Sequence, residues 1–404
     1  MAKRKKRIEL QEKIVHASVY IPMHNMDYGT TVTSIQKAMS KVRKNHAHNF
    51  KLENSILQLR AHTEITAAKL KQAEQYFLEL LAEERHNPNN FSEQSRFDLF
   101  DRTASLYTRY NHKSLAQKYN TLSAQIAREL NDPKLICLST MMKAKIHYYS
   151  DTACSVRYME EAQNIMKSDS AYRINCHNNV SLIGAHILLS AKQIWLFSEY
   201  IKDVKELLAE SIDNNYSFTI IRCNLLLAAL YYFRDEKDSL EISRHYIDDG
   251  INASIRYGCE KLMNYFYNLK ALISIREGYA PEITLQYFET MLDYLIKQNL
   301  LFLGNLDFCY GNIVSLTNYA KFIYHYGDEQ RLYRFLNKLS YYQSNQICDF
   351  ECSKRRNCYY SCNKNIDVFK KNIENIEMGK LILLDSKYQY PLYDQQTGYY
   401  VIIH

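Results

Sequence analysis

Pairs of amphipathic segments recur about every forty residues along this chain of 404 residues. The first helices of these pairs are predicted to begin near Ser92, Pro133, Tyr172, Ser217, Glu260 and Gly304, at spacings of 41, 39, 45, 43 and 44 residues. A period of this size is typical of helical repeat arrays, in which each unit buries its apolar face only against its neighbours. The spacing therefore predicts an all-α fold, an α-solenoid of about six helix pairs.

The amino-acid composition agrees with a chain that is helical almost throughout. Only ten Gly and five Pro occur in 404 residues, which argues against loop-rich β folds and against disorder. No window contains eighteen uninterrupted apolar residues, so we expect no membrane span. The net charge of +7 is mild for this length and does not predict a nucleic-acid-binding surface over the whole chain.

Apolar stripes at helical spacing support the individual helices. An early helix has a stripe of Ile35, Met39 and Val42. In the first pair, the leading helix has a stripe of Phe97, Phe100, Ala104 and Tyr107. Its partner helix has a stripe of Leu115, Tyr119, Leu122 and Ile126. Asp132 is predicted to cap the next helix, with Pro133 at its first position. The segment 225–233 is apolar on nearly all sides, which predicts a central helix.

The units resemble tetratricopeptide-type repeats over roughly residues 92–345. The leading helix of a unit ends in an aromatic residue, as in Leu106-Tyr107. The second helix carries an aromatic residue about four positions after a small or aliphatic one, as in Leu115-Ala116 and Tyr119, or Ile283 and Tyr287. The units are longer than the family's usual repeat of about 34 residues and are closer to the repeats of bacterial peptide-sensing regulators and of signalling-ATPase sensor regions. The resemblance implies a superhelix that binds proteins or peptides.

Four regions are predicted along the chain. Residues 1–29 form a basic arm and a short strand, residues 30–90 an N-terminal helical region, residues 91–345 the tetratricopeptide-like array, and residues 346–404 a Cys-rich segment with a C-terminal β-hairpin. Thr397-Gly398 lies between two aromatic runs and indicates the hairpin turn. Because the last unit of a solenoid would otherwise expose its stacking face, we expect this final region to be a small, partly β cap.

Four cysteines close together suggest a metal site. Cys348, Cys352, Cys358 and Cys362 form two pairs, each with three intervening residues. A structural zinc ion takes four soft ligands in a tetrahedron, so the quartet predicts structural Zn²⁺; reduced thiols, a pair of disulfides and iron–sulfur or redox use stay open as alternatives. Six other cysteines stand singly in helical stretches, where we expect small buried side chains: Cys137, Cys154, Cys176, Cys223, Cys259 and Cys309.

Two clusters of basic residues give a second hypothesis. The first comprises Lys3, Arg4, Lys5, Lys6 and Arg7, and the second, inside the cysteine quartet, comprises Lys354, Arg355 and Arg356. Such clusters contact phosphates in nucleic-acid-binding proteins, or offset the charge of zinc thiolates. The alternative function is therefore that of a nucleic-acid-associated adaptor, and the simpler interpretation of the terminal cluster is a solvated chain end.

A third hypothesis rests on Arg43 and His48. Their spacing matches an Arg/His pair found in some all-helical ribonucleases, where a cation binds phosphate and an imidazole transfers the proton. One such match is expected by chance in a chain with 13 His and many Arg. No phosphate-binding glycine loop and no zinc-protease or hydrolase motif occurs in the sequence.

The sequence thus favours a non-catalytic helical-repeat scaffold, a sensor or adaptor that binds a protein or peptide segment on its concave face. We expect that face to be lined by exposed Tyr, Asn and Lys or Arg side chains of the first helices. The expected compartment is the cytoplasm, or the nucleus in a eukaryote, and the chain could be one subunit of a larger assembly.

Overall fold

The described part of the chain is almost entirely helical. The computed structural model describes residues 28–44, 49–66, 70–110, 112–147, 151–168, 197–234, 236, 238–301, 306–326, 328, 330–335, 392–394 and 396–401. The contacts divide the chain into two compact units, residues 1–165 and residues 166–404. Within the described ranges, no helix combines the length and the apolar character needed to cross a bilayer.

The first unit is built from consecutive helices joined by short connections. They are α1 (Tyr28–Lys44), α2 (Phe50–Thr66), α3 (Leu70–His86), α4 (Glu93–Arg109), α5 (Lys113–Glu129), α6 (Pro133–His147) and α7 (Thr152–Ser168). A single 3₁₀ turn, Pro88–Asn90, lies between α3 and α4. Helix α1 contains the apolar stripe predicted for the early helix, and α2 and α3 lie within the predicted N-terminal helical region.

The second unit adds a two-stranded β-sheet to its helices. Its elements are α8 (Phe197–Asp213), α9 (Ser217–Tyr232), α10 (Ser239–Arg256), α11 (Met263–Arg276), α12 (Pro281–Leu301), α13 (Leu306–Tyr326), β1 (Leu392–Asp394) and β2 (Tyr399–Val401). The strands pair antiparallel, with Leu392 opposite Val401 and Asp394 opposite Tyr399. The hairpin turn predicted from Thr397-Gly398 is therefore present, with Gly398 at φ +76°.

Each helix packs on the next, and alternate helices also contact one another. In the first unit, α4 contacts both α2 and α6, and in the second unit α11 contacts both α9 and α13. Within each unit we use the names inner helices for the members of this layer and outer helices for their partners. The inner helices are α2, α4 and α6 in the first unit and α9, α11 and α13 in the second. Contact between successive members of one layer, within a series of helix pairs, is compatible with a helical-repeat architecture.

The helix starts agree with the predicted period wherever the structure describes them. Ser92, Pro133 and Ser217 lie at the starts of α4, α6 and α9, and Glu260 begins a 3₁₀ turn that leads into α11. Tyr172 and Gly304 lie outside the described residues. Inner helix α2 begins at Phe50, 43 residues before α4 begins at Glu93. The regular spacing of helix pairs therefore starts one pair earlier than the sequence predicted.

Local capping explains several of these boundaries. The Ser92 side chain accepts a hydrogen bond from the backbone N–H of Ser95 at 3.1 Å and caps α4. Asp132 Oδ1 accepts the backbone N–H of Lys134 at 2.8 Å, and Pro133 occupies the first position of α6, as predicted. Gly278, at φ +68°, ends α11 because a residue without Cβ adopts the left-handed conformation without steric cost.

The predicted apolar stripes are confirmed in α1 and α4 but not in α5. The three residues named for α1 and the four named for α4 are all buried. In α5, Ile126 is buried, but Leu115, Tyr119 and Leu122 are only half-buried. The face that α5 buries most completely consists of smaller side chains, Ala116, Asn120, Ser123, Ala124 and Ala127, because small residues let neighbouring helices approach closely.

Helix α9 is the most completely buried helix among those described. Thirteen of its residues are buried, from Thr219 to Tyr232 apart from Arg222, as the apolar segment 225–233 predicted.

Helices α10 and α11 approach each other closely. A Cβ atom placed on Gly250 of α10 would lie 2.2 Å from Cζ of Phe266 in α11, and Phe266 is fully buried.

The predicted domain limits at residues 29, 90 and 345 stay predictions. The basic arm, the short strand and the Cys-rich segment lie outside the described residues, so nothing in the structure tests where those regions begin and end. The two compact units meet at residue 165, inside the predicted array.

We predict that Gly250→Ala destabilises the protein although alanine favours helix. Alanine gains up to about 1 kcal/mol of helix propensity over glycine. Overpacking a close-packed core costs about 1–3 kcal/mol. The added Cβ would lie 2.2 Å from Cζ of the buried Phe266 ring, so the ring or its helix must shift. Denaturant unfolding of the variant should show a net loss of stability.

Asn252→Ala is the matched control for this substitution. Asn252 is an exposed position of the same helix, so its replacement should be neutral or slightly stabilising. Adding Phe266→Leu to Gly250→Ala should recover part of the lost stability. A Gly250→Ala variant as stable as the wild type would refute the close contact between α10 and α11.

Candidate functional site

Of the predicted site residues, the structure describes only Arg43. The cysteine quartet at 348, 352, 358 and 362 and the basic residues at 3–7 and 354–356 lie outside the described residues, as does His48. Arg43 lies in the last turn of α1, is exposed, and donates a hydrogen bond from Nε to Glu53 Oε1 at 2.9 Å. The structure therefore does not test the Arg43–His48 pair, and it places a carboxylate against the arginine.

The single cysteines are buried as predicted, with one exception. Cys137, Cys223 and Cys259 are buried, and burial raises the pKa of the Cys137 thiol to about 11. Cys154 is half-buried instead, near the start of α7. The prediction was wrong for Cys154 because the sequence does not show which side of an outer helix faces the inner layer. Cys176 and the side chain of Cys309 lie outside the described part of the chain.

The best-defined polar site of the second unit lies where the C-terminal hairpin meets the inner helices. Strand β2 contacts α11 and α13, and Asp394 of β1 contacts Tyr232, the last residue of α9. Tyr399 and Val401 of β2 are buried. The hairpin thus lies against three inner helices, and the capping role expected for residues 346–404 stays a prediction.

Asp394 is the centre of this site. Its side chain is buried, and a buried carboxylate needs several hydrogen-bond donors to offset the loss of water. Oδ2 accepts hydrogen bonds from the Tyr232 hydroxyl at 2.5 Å and from Thr397 Oγ1 at 2.7 Å, and Oδ1 accepts the backbone N–H of Gln396 at 3.0 Å. One carboxylate therefore closes the hairpin turn and anchors it to α9.

Two cations join the same hairpin to the helices. Arg276, the last residue of α11, donates from Nε to Gln396 Oε1 at 2.7 Å and also donates to the backbone carbonyl of Tyr232. Lys321 of α13 donates to the backbone carbonyl of Gly398, and its Nζ lies 4.9 Å from the centre of the Tyr399 ring. Arg276 thus ties the Gln396 side chain of the turn to the end of α9, and Lys321 binds the carbonyl of Gly398 in the turn.

The electrostatics of the site follow from burial. Burial, with the hydrogen bond to Asp394 as the second cause, raises the pKa of the Tyr232 hydroxyl above its usual range. Burial likewise raises the pKa of Tyr399 and lowers that of Lys321. At neutral pH Tyr232 therefore stays a protonated donor, and the site is suited to holding a carboxylate and main-chain carbonyls.

The inner helices of the second unit bury several asparagine side chains. Asn224, Asn264, Asn268 and Asn318 are all buried. Asn318 Nδ2 donates to Asn268 Oδ1 at 3.0 Å, which links α13 to α11 across the inner layer. A buried amide pair can hold neighbouring inner helices together, and a sequence does not distinguish it from an exposed one. The expected lining of a concave face by exposed Tyr, Asn and Lys or Arg side chains stays a prediction.

In the first unit, Asp101 is the inner-helix residue with the most perturbed acidity. Its Oδ1 atom is buried, and no hydrogen-bond partner for that atom occurs among the described residues. Burial is the main cause that raises the pKa of Asp101 to about 7; Lys145 of α6 opposes the rise and Asp98 adds to it. Asp101 therefore gains a negative charge only near neutral pH.

The fold defines a class of protein but not a particular one. The chain is a protein of consecutively packed helices, compatible with a helical-repeat architecture. It matches no protein-family model, and no curated protein matches its sequence. The tetratricopeptide-type resemblance consequently stays at the level of architecture.

Sequence reasoning missed the contacts that make the hairpin site. Tyr232 and Asp394 are 162 residues apart, and neither belongs to a recognisable motif. The turn signal at Thr397-Gly398 identified the hairpin but not the surface on which it packs. The aromatic residues that end the leading helices were the available signal, because Tyr232 is one of them.

We predict that Tyr232→Phe destabilises the second unit by about 1–3 kcal/mol, because it removes a donor from a buried carboxylate. Denaturant unfolding should show the loss, and hydrogen exchange should accelerate in residues 392–401. Tyr257→Phe is the matched control: its hydroxyl donates to Asn215 Oδ1 at 2.9 Å in an exposed setting, so its removal should change stability by less than about 0.5 kcal/mol. Equal effects of the two substitutions would contradict the anchoring role of Asp394.

We also predict a pH-dependent effect of Asp101→Asn. Because the pKa of Asp101 is raised to about 7, the folded protein keeps this proton up to about pH 7, whereas the unfolded chain loses it near the ordinary aspartate pKa of 3.8. Unfolding therefore releases a proton between these pH values, and the wild type loses stability as the pH rises through that window. The free energy of unfolding of the variant minus that of the wild type should rise with pH there and then level off.

Denaturant unfolding at a series of pH values measures this difference. A difference between Asp101→Asn and wild type that stays constant from about pH 4 to pH 8 would contradict the raised pKa of Asp101.

Proposed function

We propose that this protein is a non-catalytic scaffold that binds an extended protein or peptide segment along its inner helices. The observation that supports this most directly is the packing of the C-terminal hairpin against three inner helices. Donors from three successive inner helices, Tyr232, Arg276 and Lys321, contact the turn and strands of that hairpin. A face of this kind offers separate anchor points at regular intervals, which suits an extended ligand.

The chemistry of the hairpin contacts indicates the kind of ligand. The helices supply a hydroxyl, a guanidinium and an ammonium group, and the hairpin supplies a carboxylate, a side-chain amide and a backbone carbonyl. Charge-assisted hydrogen bonds to carboxylates are among the stronger polar contacts available to a protein. An acidic extended segment therefore fits the proposed role better than a compact basic one.

The finer features of the predicted fold belong to the same proposal. We propose that the helix pairs form a tetratricopeptide-like superhelix and that residues 346–404 cap it. Structural zinc at the cysteine quartet and a cytoplasmic sensor or adaptor role complete the proposal. The hairpin buries Tyr399 and Val401 against the helices, and this burial is consistent with a capping role.

The two alternative functions receive no added support from the described residues. The basic clusters and His48 lie outside them, and Arg43 is paired with Glu53. Nucleic-acid binding that falls steeply with salt and disappears on deletion of residues 1–7 would establish the adaptor alternative. RNA cleavage abolished by His48→Ala would establish the ribonuclease alternative.

We predict that a partner contacts the inner helices and not the outer ones. A photo-crosslinking amino acid should replace Lys145 of inner helix α6 and, as a matched control, Lys118 of outer helix α5; both positions are exposed. In the full chain, the Lys145 position should crosslink to a defined segment of one partner, identified by mass spectrometry. The Lys118 position should give little of that product.

Three outcomes would contradict the proposal. The first is equal crosslinking from both positions, the second is crosslinking to nucleic acid, and the third is a partner that binds unchanged when the inner-helix position carries a bulky side chain. An excess of acidic peptide should reduce the crosslinking at Lys145 if the ligand is an acidic segment.

A further inference from the structure

We propose that His147, Asp151 and Cys154 form a binding site for a zinc-like divalent cation between α6 and α7. A ring nitrogen of His147, a carboxylate oxygen of Asp151 and the sulfur of Cys154 all lie within 4.8 Å of one another. His147 is the last residue of α6, and Asp151 directly precedes α7. The proposed ligands include none of the four cysteines of the quartet, and the site does not depend on the proposed peptide-binding role.

The backbone around Asp151 brings the three side chains together. The N–H of Asp151 donates to the carbonyl of His147 at 2.9 Å, and the N–H of Ser155 donates to the carbonyl of Asp151 at 3.0 Å. Asp151 Oδ1 caps α7 by accepting the N–H of Cys154 at 3.0 Å. Within the described ranges no hydrogen bond occupies Oδ2 of Asp151, so this second oxygen is available for a cation.

The imidazole of His147 has an unused ligand atom. Its Nδ1 is buried, and no hydrogen-bond partner for that atom occurs in the part of the chain that the structure describes. A buried polar atom without a partner costs stability, and coordination of a metal ion would satisfy it. The ring centre lies 5.8 Å from that of Tyr158, which holds the imidazole against α7.

The thiol of Cys154 is accessible and has a cation beside it. Cys154 is half-buried, and its Sγ accepts a hydrogen bond from Nη2 of Arg157 at 3.6 Å. When a metal binds, the Cys154 thiol loses its proton to solvent and the thiolate forms a bond to the cation. The thiolate and the Asp151 carboxylate together neutralise a divalent ion, with Arg157 at the edge of the site.

The donor set selects the class of metal. One sulfur, one nitrogen and one oxygen suit Zn²⁺ and similar ions, whereas Ca²⁺ and Mg²⁺ require oxygen ligands throughout. Three protein ligands leave a fourth tetrahedral position for water or for a group from a partner. The cation would join the end of an inner helix to the start of its outer partner.

The test uses the full chain, stripped of metal with a chelator and titrated with Co²⁺ and with Zn²⁺. The variants are Cys154→Ser, His147→Asn and Asp151→Asn, and each should lower the bound metal by one equivalent per chain. Asp151→Asn is the most informative because asparagine caps a helix as well as aspartate does, so the fold is kept while the anionic ligand is lost. Unfolding by circular dichroism monitors the fold of each variant.

His245→Asn provides the matched control. His245 and Asp249 form a second His–Asp pair at the same i,i+4 spacing, 3.5 Å apart in α10, and this control should leave the stoichiometry unchanged. Replacing the four cysteines at 348, 352, 358 and 362 by serine should leave one equivalent bound, and X-ray absorption should then find one sulfur ligand. Metal binding unchanged by all three site variants, or lost entirely with the quartet, would overturn the proposal.

Discussion

Burial of the inner helices is the constraint on which the rest of the described structure depends. Helix α9 is apolar on nearly every side and buries residues from Thr219 to Tyr232, so it is stable only when other helices surround it. Helices α8, α10 and α11 supply that cover. This packing places the C-terminal ends of α9, α11 and α13 along one face, where Tyr232, Arg276 and Lys321 meet the hairpin.

Polar side chains inside this layer set how neighbouring pairs align. The Asn268–Asn318 hydrogen bond joins two inner helices, and the hydroxyls of Ser274 and Thr284, 2.7 Å apart, join an inner helix to an outer one. Ser243 of α10 also donates to the backbone carbonyl of Ala228 in α9 at 2.7 Å. A buried polar group without its partner is costly, so these bonds favour one alignment of the helices over shifted ones.

Much of the fold could be predicted from the sequence, but the proposed sites could not. The starts of α4 and α6 followed from Ser92, Asp132 and Pro133, because capping acts within a few residues of the chain. The sequence analysis did not include the α2–α3 pair among the repeating helix pairs. The start of α2 has no turn signal as clear as Asp132-Pro133, which marks the start of α6. The predicted burial of Cys154 was wrong, because helical spacing alone does not show which face of a helix packs against its neighbours.

The sequence by itself determined the helical content, the interval between helix pairs, the central position of α9 and the C-terminal turn, since each depends on residues within one or two helices. Tertiary structure decided that Asp394 meets Tyr232, 162 residues away, and that Arg276 and Lys321 reach the same hairpin. The physical reason is that such contacts depend on the packing of several helices at once. Local hydrogen bonding and side-chain spacing encode the helices but not the choice of their distant neighbours.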